Sequence, residues 1–192
     1  AQTTDGRAFP GAELKIVSPK GEERPLGDEG ELAMRGPQLF AGYLHRPDLT
    51  DAAFLSDGFL RTGDLAQMDS DGYVKITGRV KDLIIRGGLN ISPVEVEEIL
   101  SGDSRITTIA LAGMPDERLG ERICAFVVPK SGAELTLEDL ADLAERSGLA
   151  KQKWPERLEI LTELPMTPTG KVQRYALKQL ITEKLIEESR TA

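Results

Sequence analysis

Apolar and polar residues alternate in four short segments of the first third of the chain: Glu13-Leu14-Lys15-Ile16-Val17, Gly30-Glu31-Leu32-Ala33-Met34-Arg35, Gly58-Phe59-Leu60-Arg61 and Gly72-Tyr73-Val74-Lys75-Ile76. A period of two puts successive side chains on opposite faces of a strand. Turn formers such as Pro19-Lys20-Gly21 and Asp71-Gly72 bound the segments, so this part predicts a small all-β unit. After Gly78 the pattern changes to strands interleaved with helices. Ser92-Pro93-Val94-Glu95 has the form of a capping box with proline at the first helical position, and predicts a helix running through Val96 to Leu100. Thr136-Leu137-Glu138-Asp139 opens a second helix, with Leu137, Leu140, Ala141 and Ala144 on one face and Gly148 as its stop. A last helix is predicted from about Val172 to Glu188, where Tyr175, Leu180, Ile181 and Leu185 recur at helical spacing. Apolar runs predict strands at 107–112, 123–128 and 157–161.

The expected fold class is therefore α+β. Residues 1–80 form a β-barrel-like subdomain, and residues 81–192 a compact α+β domain whose central sheet is flanked by helices. No internal repeat or low-complexity linker separates them, so the junction is short, from Gly78 to Asp82. A hinge requires such a junction, although most such junctions are static.

Composition narrows the function classes. The 192 residues are 40% hydrophobic and 29% charged, enough for a workable core. No stretch approaches the roughly 20 apolar residues that span a bilayer. The N-terminal Ala1-Gln2-Thr3-Thr4-Asp5 lacks a basic segment followed by an apolar one, so neither secretion nor a membrane span is expected. With 24 basic and 32 acidic residues the net charge is −8, which argues against nucleic acid as a partner. Cys124 is the only cysteine and sits in the apolar run Ile123-Cys124-Ala125-Phe126-Val127-Val128; a buried, inert thiol is favoured over a reactive one, and a reducing cytoplasm is the expected compartment. One cysteine and the single His45, which reads as an exposed loop residue before Arg46-Pro47-Asp48, form no zinc site, and no metal ligand is assigned within the chain.

Candidate chemistry lies in three loops. In Arg61-Thr62-Gly63-Asp64 the glycine permits a tight turn and Asp64 is suited to accept hydrogen bonds from a diol such as ribose. Gly78-Arg79-Val80-Lys81-Asp82, followed by Arg86-Gly87-Gly88, sets charges beside paired glycines, as a backbone approaching an anionic ligand would. Pro165-Met166-Thr167-Pro168-Thr169-Gly170-Lys171 is an exposed, semi-rigid loop ending in a mobile point charge suited to a developing anion. Taken singly, each has a plainer and favoured reading: a turn aspartate, a solvated turn, and a surface lysine ahead of a helix.

In this order and spacing the three loops resemble the adenylate-forming superfamily of acyl-CoA synthetases, peptide-synthetase adenylation domains and firefly-type luciferases. The resemblance extends over nearly the whole chain. It includes Gly30-Glu31-Leu32, Gly36-Pro37 and Gly42-Tyr43 before the first loop and Asn90-Ile91-Ser92-Pro93-Val94-Glu95-Val96-Glu97 after the second. It implies joining of a carboxylic acid to ATP, release of pyrophosphate, and transfer of the acyl group to the thiol of CoA. By resemblance Asp64 holds the ribose hydroxyls, Arg79 contacts ribose or phosphate, and Ile76 lines the adenine side. Lys171 is the catalytic cation of the first step, Lys81 the hinge, and Gly87 and Gly88 border the passage for the pantetheine arm. Gly87-Gly88-Leu89-Asn90-Ile91-Ser92-Pro93 is closer to fatty and aryl acid CoA ligases than to peptide-synthetase domains.

The family's phosphate-binding loop and its adenine- and Mg²⁺-placing segment have no counterpart in this sequence. The resemblance thus makes residues 1–80 the tail of a large N-terminal AMP-binding domain and residues 81–192 a mobile C-terminal domain. It places the acyl pocket and the Mg²⁺ ligands before Ala1, and implies that the chain alone is inactive and self-associates through surface left uncovered. Two other readings stay open: an acyl-AMP ligase or adenylation domain loading a carrier protein, and a non-catalytic binding module of the same fold.

Overall fold

The computed structural model describes residues 4–191. Ala1–Thr3, part of the stretch read above as lacking a leader pattern, and Ala192 lie outside the described residues. Two compact units divide after Lys81, and each is described by itself.

The first unit contains β1 (Gly6–Arg7), β2 (Glu13–Val17), β3 (Gly30–Arg35), a short helix α1 (Pro47–Ala53), β4 (Leu60–Met68) and β5 (Tyr73–Arg79). The strands form one antiparallel sheet in the order β1-β5-β4-β3-β2. Among the described residues no ladder joins β1 to β2, so the sheet is open and the barrel-like closure expected from sequence is not seen. Alternation along β2 sends Ile16 into one cluster, with Ala66 and Val74, and Val17 into another, with Ala33 and Phe59. The sequence reading has no counterpart for α1, a helix with no buried residue and hence no apolar stripe. His45, just before it, is exposed at φ 56°.

The second unit runs β6 (Ile84–Arg86), β7 (Leu89–Ile91), α2 (Pro93–Leu100), β8 (Ile106–Asp116), β9 (Gly120–Pro129), α3 (Leu137–Arg146), β10 (Arg157–Ile160) and α4 (Arg174–Thr191). β9 is its axis. It pairs antiparallel with β8 along its length, antiparallel with β6 at Gly120, and parallel with β10 from Cys124 to Val127. Both faces of the sheet are covered, which is why β9 reads as a continuous apolar run. Ile123, Ala125 and Val127 pack with Val96 and Leu100 of α2 and Leu140 and Ala144 of α3, while Cys124 and Phe126 pack with Leu177 and Ile181 of α4. No described helix is long and apolar enough to cross a membrane.

Local rules account for most helix starts. At α3 the Thr136 side chain accepts from the Asp139 amide and the Asp139 carboxylate accepts from the Thr136 amide, the reciprocal box expected from sequence. At α2 the box does not form: Ser92 makes no side-chain cap, and the helix starts on Pro93, whose missing N–H needs no partner. In α4 the inward stripe differs from expectation at one place. Tyr175 is 71% exposed, and Leu177 supplies the buried contact.

Candidate functional site

Two groups of candidate residues result, one in each unit. In the first unit Arg61-Thr62-Gly63-Asp64, expected to be a loop, lies inside β4. The β3–β4 register shifts between Glu31 and Ala33, so that Thr62, Gly63 and Asp64 bulge out of the ladder. The Thr62 hydroxyl donates to the Leu32 carbonyl at 2.8 Å. The Gly63 amide, in a residue at φ 74°, donates to Glu31 at 3.1 Å. Glu31 is held from its other oxygen by Arg61 at 2.5 Å. Nothing in the sequence around Glu31 marks it for this role, yet its carboxylate is what fixes the bulge.

The bulge aims Asp64 across the sheet at Arg79, its register partner on β5. The Arg79 Nε lies 2.8 Å from Asp64 Oδ1, and both side chains remain partly open to solvent, 46% and 35% exposed. Ile76 is three residues earlier on the same strand and is 37% exposed. The structure thus pairs two of the three residues expected at a nucleotide, a carboxylate able to accept from two hydroxyls and a fork of donors, and leaves the third, Ile76, exposed on the same strand as Arg79. Lys81 follows in a 3-10 turn, Val80–Asp82, and is the last residue of the first unit.

In the second unit Gly87-Gly88 is the two-residue turn of a β6–β7 hairpin that the sequence reading leaves as a loop. Both glycines have positive φ, 56° and 84°, as a type I′ turn requires. The Gly87 amide donates to the Leu119 carbonyl at 2.7 Å. Arg86, just before it, makes a two-pronged contact with Glu156 at 3.0 and 3.1 Å, and this carboxylate raises its pKa above the ordinary range. A Cβ built on Gly88 meets nothing within 4 Å, so the space over this turn is open.

Lys171 closes a second turn. The Thr167 amide donates to the Lys171 carbonyl at 2.7 Å, the Gly170 amide to the Thr167 carbonyl at 2.9 Å, and the Lys171 amide to Thr167 Oγ1 at 3.0 Å. Met166 and Val172 form a bridge across its base. The backbone is fixed while the side chain is exposed, and among the described residues no carboxylate lies within ion-pair distance of Lys171 Nζ.

Behind this turn lies a network that sequence reading misses. Arg174, the first residue of α4, donates to both carboxylate oxygens of Glu97, at 2.8 Å to Oε2, and to the Leu111 carbonyl at 3.0 Å. Asp82, the first residue of the second unit, lies 3.6 Å from its Nε. Burial works against this charge, yet the Glu97 hydrogen bonds and the charges of Glu97 and Asp82 outweigh it and raise the pKa of Arg174. The only signal in the sequence is the contrast of these charges with apolar neighbours. Among the described residues no cluster of His, Cys, Asp or Glu is placed to hold a metal ion.

Comparison with known proteins gives concordant matches. Residues 95–171 match the AMP-binding enzyme C-terminal domain, and residues 1–44 match AMP-binding enzyme. The chain is 45% identical over 186 residues to the medium-chain fatty-acid–CoA ligase of Escherichia coli (strain K12), covering 96% of this chain and 33% of that protein. It is 39% identical over 184 residues to the 2,3-dihydroxybenzoate-AMP ligase of Bacillus subtilis (strain 168), covering 95% and 34%. Among solved structures, ATP-bound MatB from Rhodopseudomonas palustris superimposes with a TM-score of 0.88 at 36% identity, covering 93% of this chain and 35% of that one. The chain spans about a third of the length of the curated relatives it matches.

Proposed function

The chain belongs to the adenylate-forming superfamily of AMP-binding enzymes, and from that premise we propose that the protein carrying it is an ATP-dependent acid–thiol ligase acting on a fatty or aryl acid. A carboxylate oxygen attacks the α-phosphorus of ATP and pyrophosphate leaves; the thiol sulfur of CoA then attacks the acyl carbon and AMP leaves. The observation that carries the reading is Lys171: a cation on a hydrogen-bonded turn, exposed and with no carboxylate of the described residues at hand, is available to an anion from outside.

In this reading Lys171 meets the negative charge that builds on the carboxylate and α-phosphate oxygens, and lowers the barrier more than it aids ground-state binding. Asp64 turns from Arg79 to the ribose hydroxyls, Arg79 to ribose or phosphate, and Ile76 packs on the adenine. Lys81 serves as the hinge on which the second unit turns between the two steps. Gly88 leaves open the path of the thiol arm, consistent with the empty space over it. No carboxylate cluster among the described residues fits Mg²⁺, and none of the steps assigned to this chain passes through that ion. The chain alone lacks the remaining two-thirds of its relatives' length, and we expect it to form no acyl-CoA by itself. The alternative is an acyl-AMP ligase or adenylation domain that loads a carrier protein, and the 39% identity to a protein named as an AMP ligase is what keeps it beside the CoA reading.

Lys171→Ala in the intact protein should lower acid-dependent pyrophosphate exchange by about 100- to 1,000-fold while sparing thioester formation from supplied acyl-adenylate. Gly88→Leu should do the reverse. Loss of the same half-reaction in both variants sinks the proposal.

A further inference from the structure

The Arg174 network ties together parts that sequence separates. Its guanidinium reaches Glu97 in α2, the Leu111 carbonyl in β8, and Asp82, the residue directly after the hinge position. Glu97 in turn accepts the Leu111 amide at 2.6 Å. The three charged side chains are only 17%, 15% and 23% exposed, so the cluster is shielded from solvent. Arg174 stands three residues after Lys171, and the residue between turn and helix, Gln173, donates its amide to the Pro165 carbonyl at 2.8 Å, closing the base of the lysine turn. All five donors of an arginine lie in one rigid, planar fork, a geometry that fixes several elements relative to one another, whereas the three donors of a lysine radiate from a single rotatable nitrogen.

We infer that Arg174 is a positioning residue: clamped to Glu97, Leu111 and Asp82, it fixes the lysine turn to the start of the second unit, so that Lys171 is delivered in register when that unit turns. The inference rests on the role proposed for Lys171. Arg174 is not a catalytic residue, because its donors are taken up by protein groups and its side chain is mostly buried. The glycine turn is held separately, by the Leu119 carbonyl and by Glu121, which accepts the Ile85 amide at 2.9 Å. Loosening the Arg174 clamp should therefore damage the step that uses Lys171 and spare the step at Gly88.

Arg174→Ala leaves Glu97 unpaired and risks misfolding, so the test uses Arg174→Lys and Asp82→Asn. In the intact protein Arg174→Lys should lower kcat for acid-dependent pyrophosphate exchange by about 10- to 100-fold, as misplacement of a reacting group does. The KM for ATP should stay within about 2-fold, and thioester formation from supplied acyl-adenylate within about 3-fold, since neither depends on the register of Lys171. Asp82→Asn, which loses one long ion pair, should act in the same direction by about 3-fold. In the 192-residue chain itself, amide hydrogen exchange of Arg174→Lys should quicken at Gly170, Lys171 and Gln173 and stay unchanged at Gly87. Equal losses in both half-reactions, unchanged exchange at the lysine turn, or equal quickening at Gly87 would overturn the inference. If the wild-type intact protein shows no pyrophosphate exchange with any acid, the proposed function fails instead, and amide exchange still decides the role of Arg174.

Discussion

Gly113 sits mid-strand in β8, opposite Ile123, at a φ outside the left-handed region that favours glycine. Its lack of a side chain matters because a Cβ there would come within 2.6 Å of Glu121 Cδ and 2.7 Å of both carboxylate oxygens. Gly113→Ala must therefore displace Glu121, which accepts the Ile85 amide at 2.9 Å and pairs with Lys178. Losing a hydrogen bond to a charged group costs about 1.5 kcal/mol at the lower end of the usual range, fitting for a partly solvated pair. Replacing a strand glycine by alanine returns about 0.5 kcal/mol of chain entropy. The variant should thus be less stable by about 1 kcal/mol, whereas in a Glu121→Ala background the same substitution should stabilise by about 0.5 kcal/mol. Trp154, the only tryptophan, lies in the second unit with its indole N–H on the Leu149 carbonyl at 2.7 Å, so its fluorescence in a urea titration reports on this unit. Comparing midpoints at equal slope gives the four stabilities. An equal cost of Gly113→Ala in both backgrounds would refute the steric argument.

Two further outcomes can be checked on the chain as it stands. Burial, and secondarily the charge of Glu159, pushes the Cys124 thiol up to about 12, so a thiol reagent at about pH 8 should leave it unmodified in the native chain and label it in urea; rapid native labelling would show that the sheet face under α4 is open. Hydrogen bonds from the Thr136 amide and hydroxyl, with help from Arg105, hold Asp139 at about 2, below its ordinary 3.8. A depressed carboxylate stabilises the fold fully above its unfolded value and ceases to as pH falls through the folded one, so the stability gap between wild type and Asp139→Asn should close between about pH 4 and pH 2; a gap that stays constant over that range would contradict the assignment.

Much of the second unit is legible in sequence because its elements obey local rules. Thr136 with Asp139 announces α3, and the apolar run at Ile123–Val128 announces a strand buried on both faces. Two failures have one cause. Arg61–Asp64 and Arg86–Gly88 look like loops because glycine and charge interrupt the apolar period, yet both belong to strand structures whose partners lie elsewhere in the chain: Glu31 for the bulge, Leu119 and Glu156 for the hairpin. The same holds for the candidate site. Its residue types stand out in the sequence, but the Asp64–Arg79 pair depends on a strand register, and the Arg174 clamp joins residues 63 to 92 positions apart. Tyr175 faces out because it lies five and six residues before Leu180 and Ile181, about 120–140° around the helix from them, whereas Leu177, three and four residues before them, shares their face.

The central position of β9 bears on how the chain is made. During synthesis β6, β7, α2 and β8 all leave the ribosome before Gly120 does, yet β8 has no strand partner among them, and β6 only β7. Until β9 emerges, Ile106–Asp116 is a nascent apolar strand with both edges unpaired, the kind of segment that chaperones bind and that aggregates when left waiting. A slow codon cluster, an insertion or a split site placed in the 116–120 turn would lengthen that interval, whereas one placed after Pro129 would act when β8 already has its partner and only β10 has still to join the sheet.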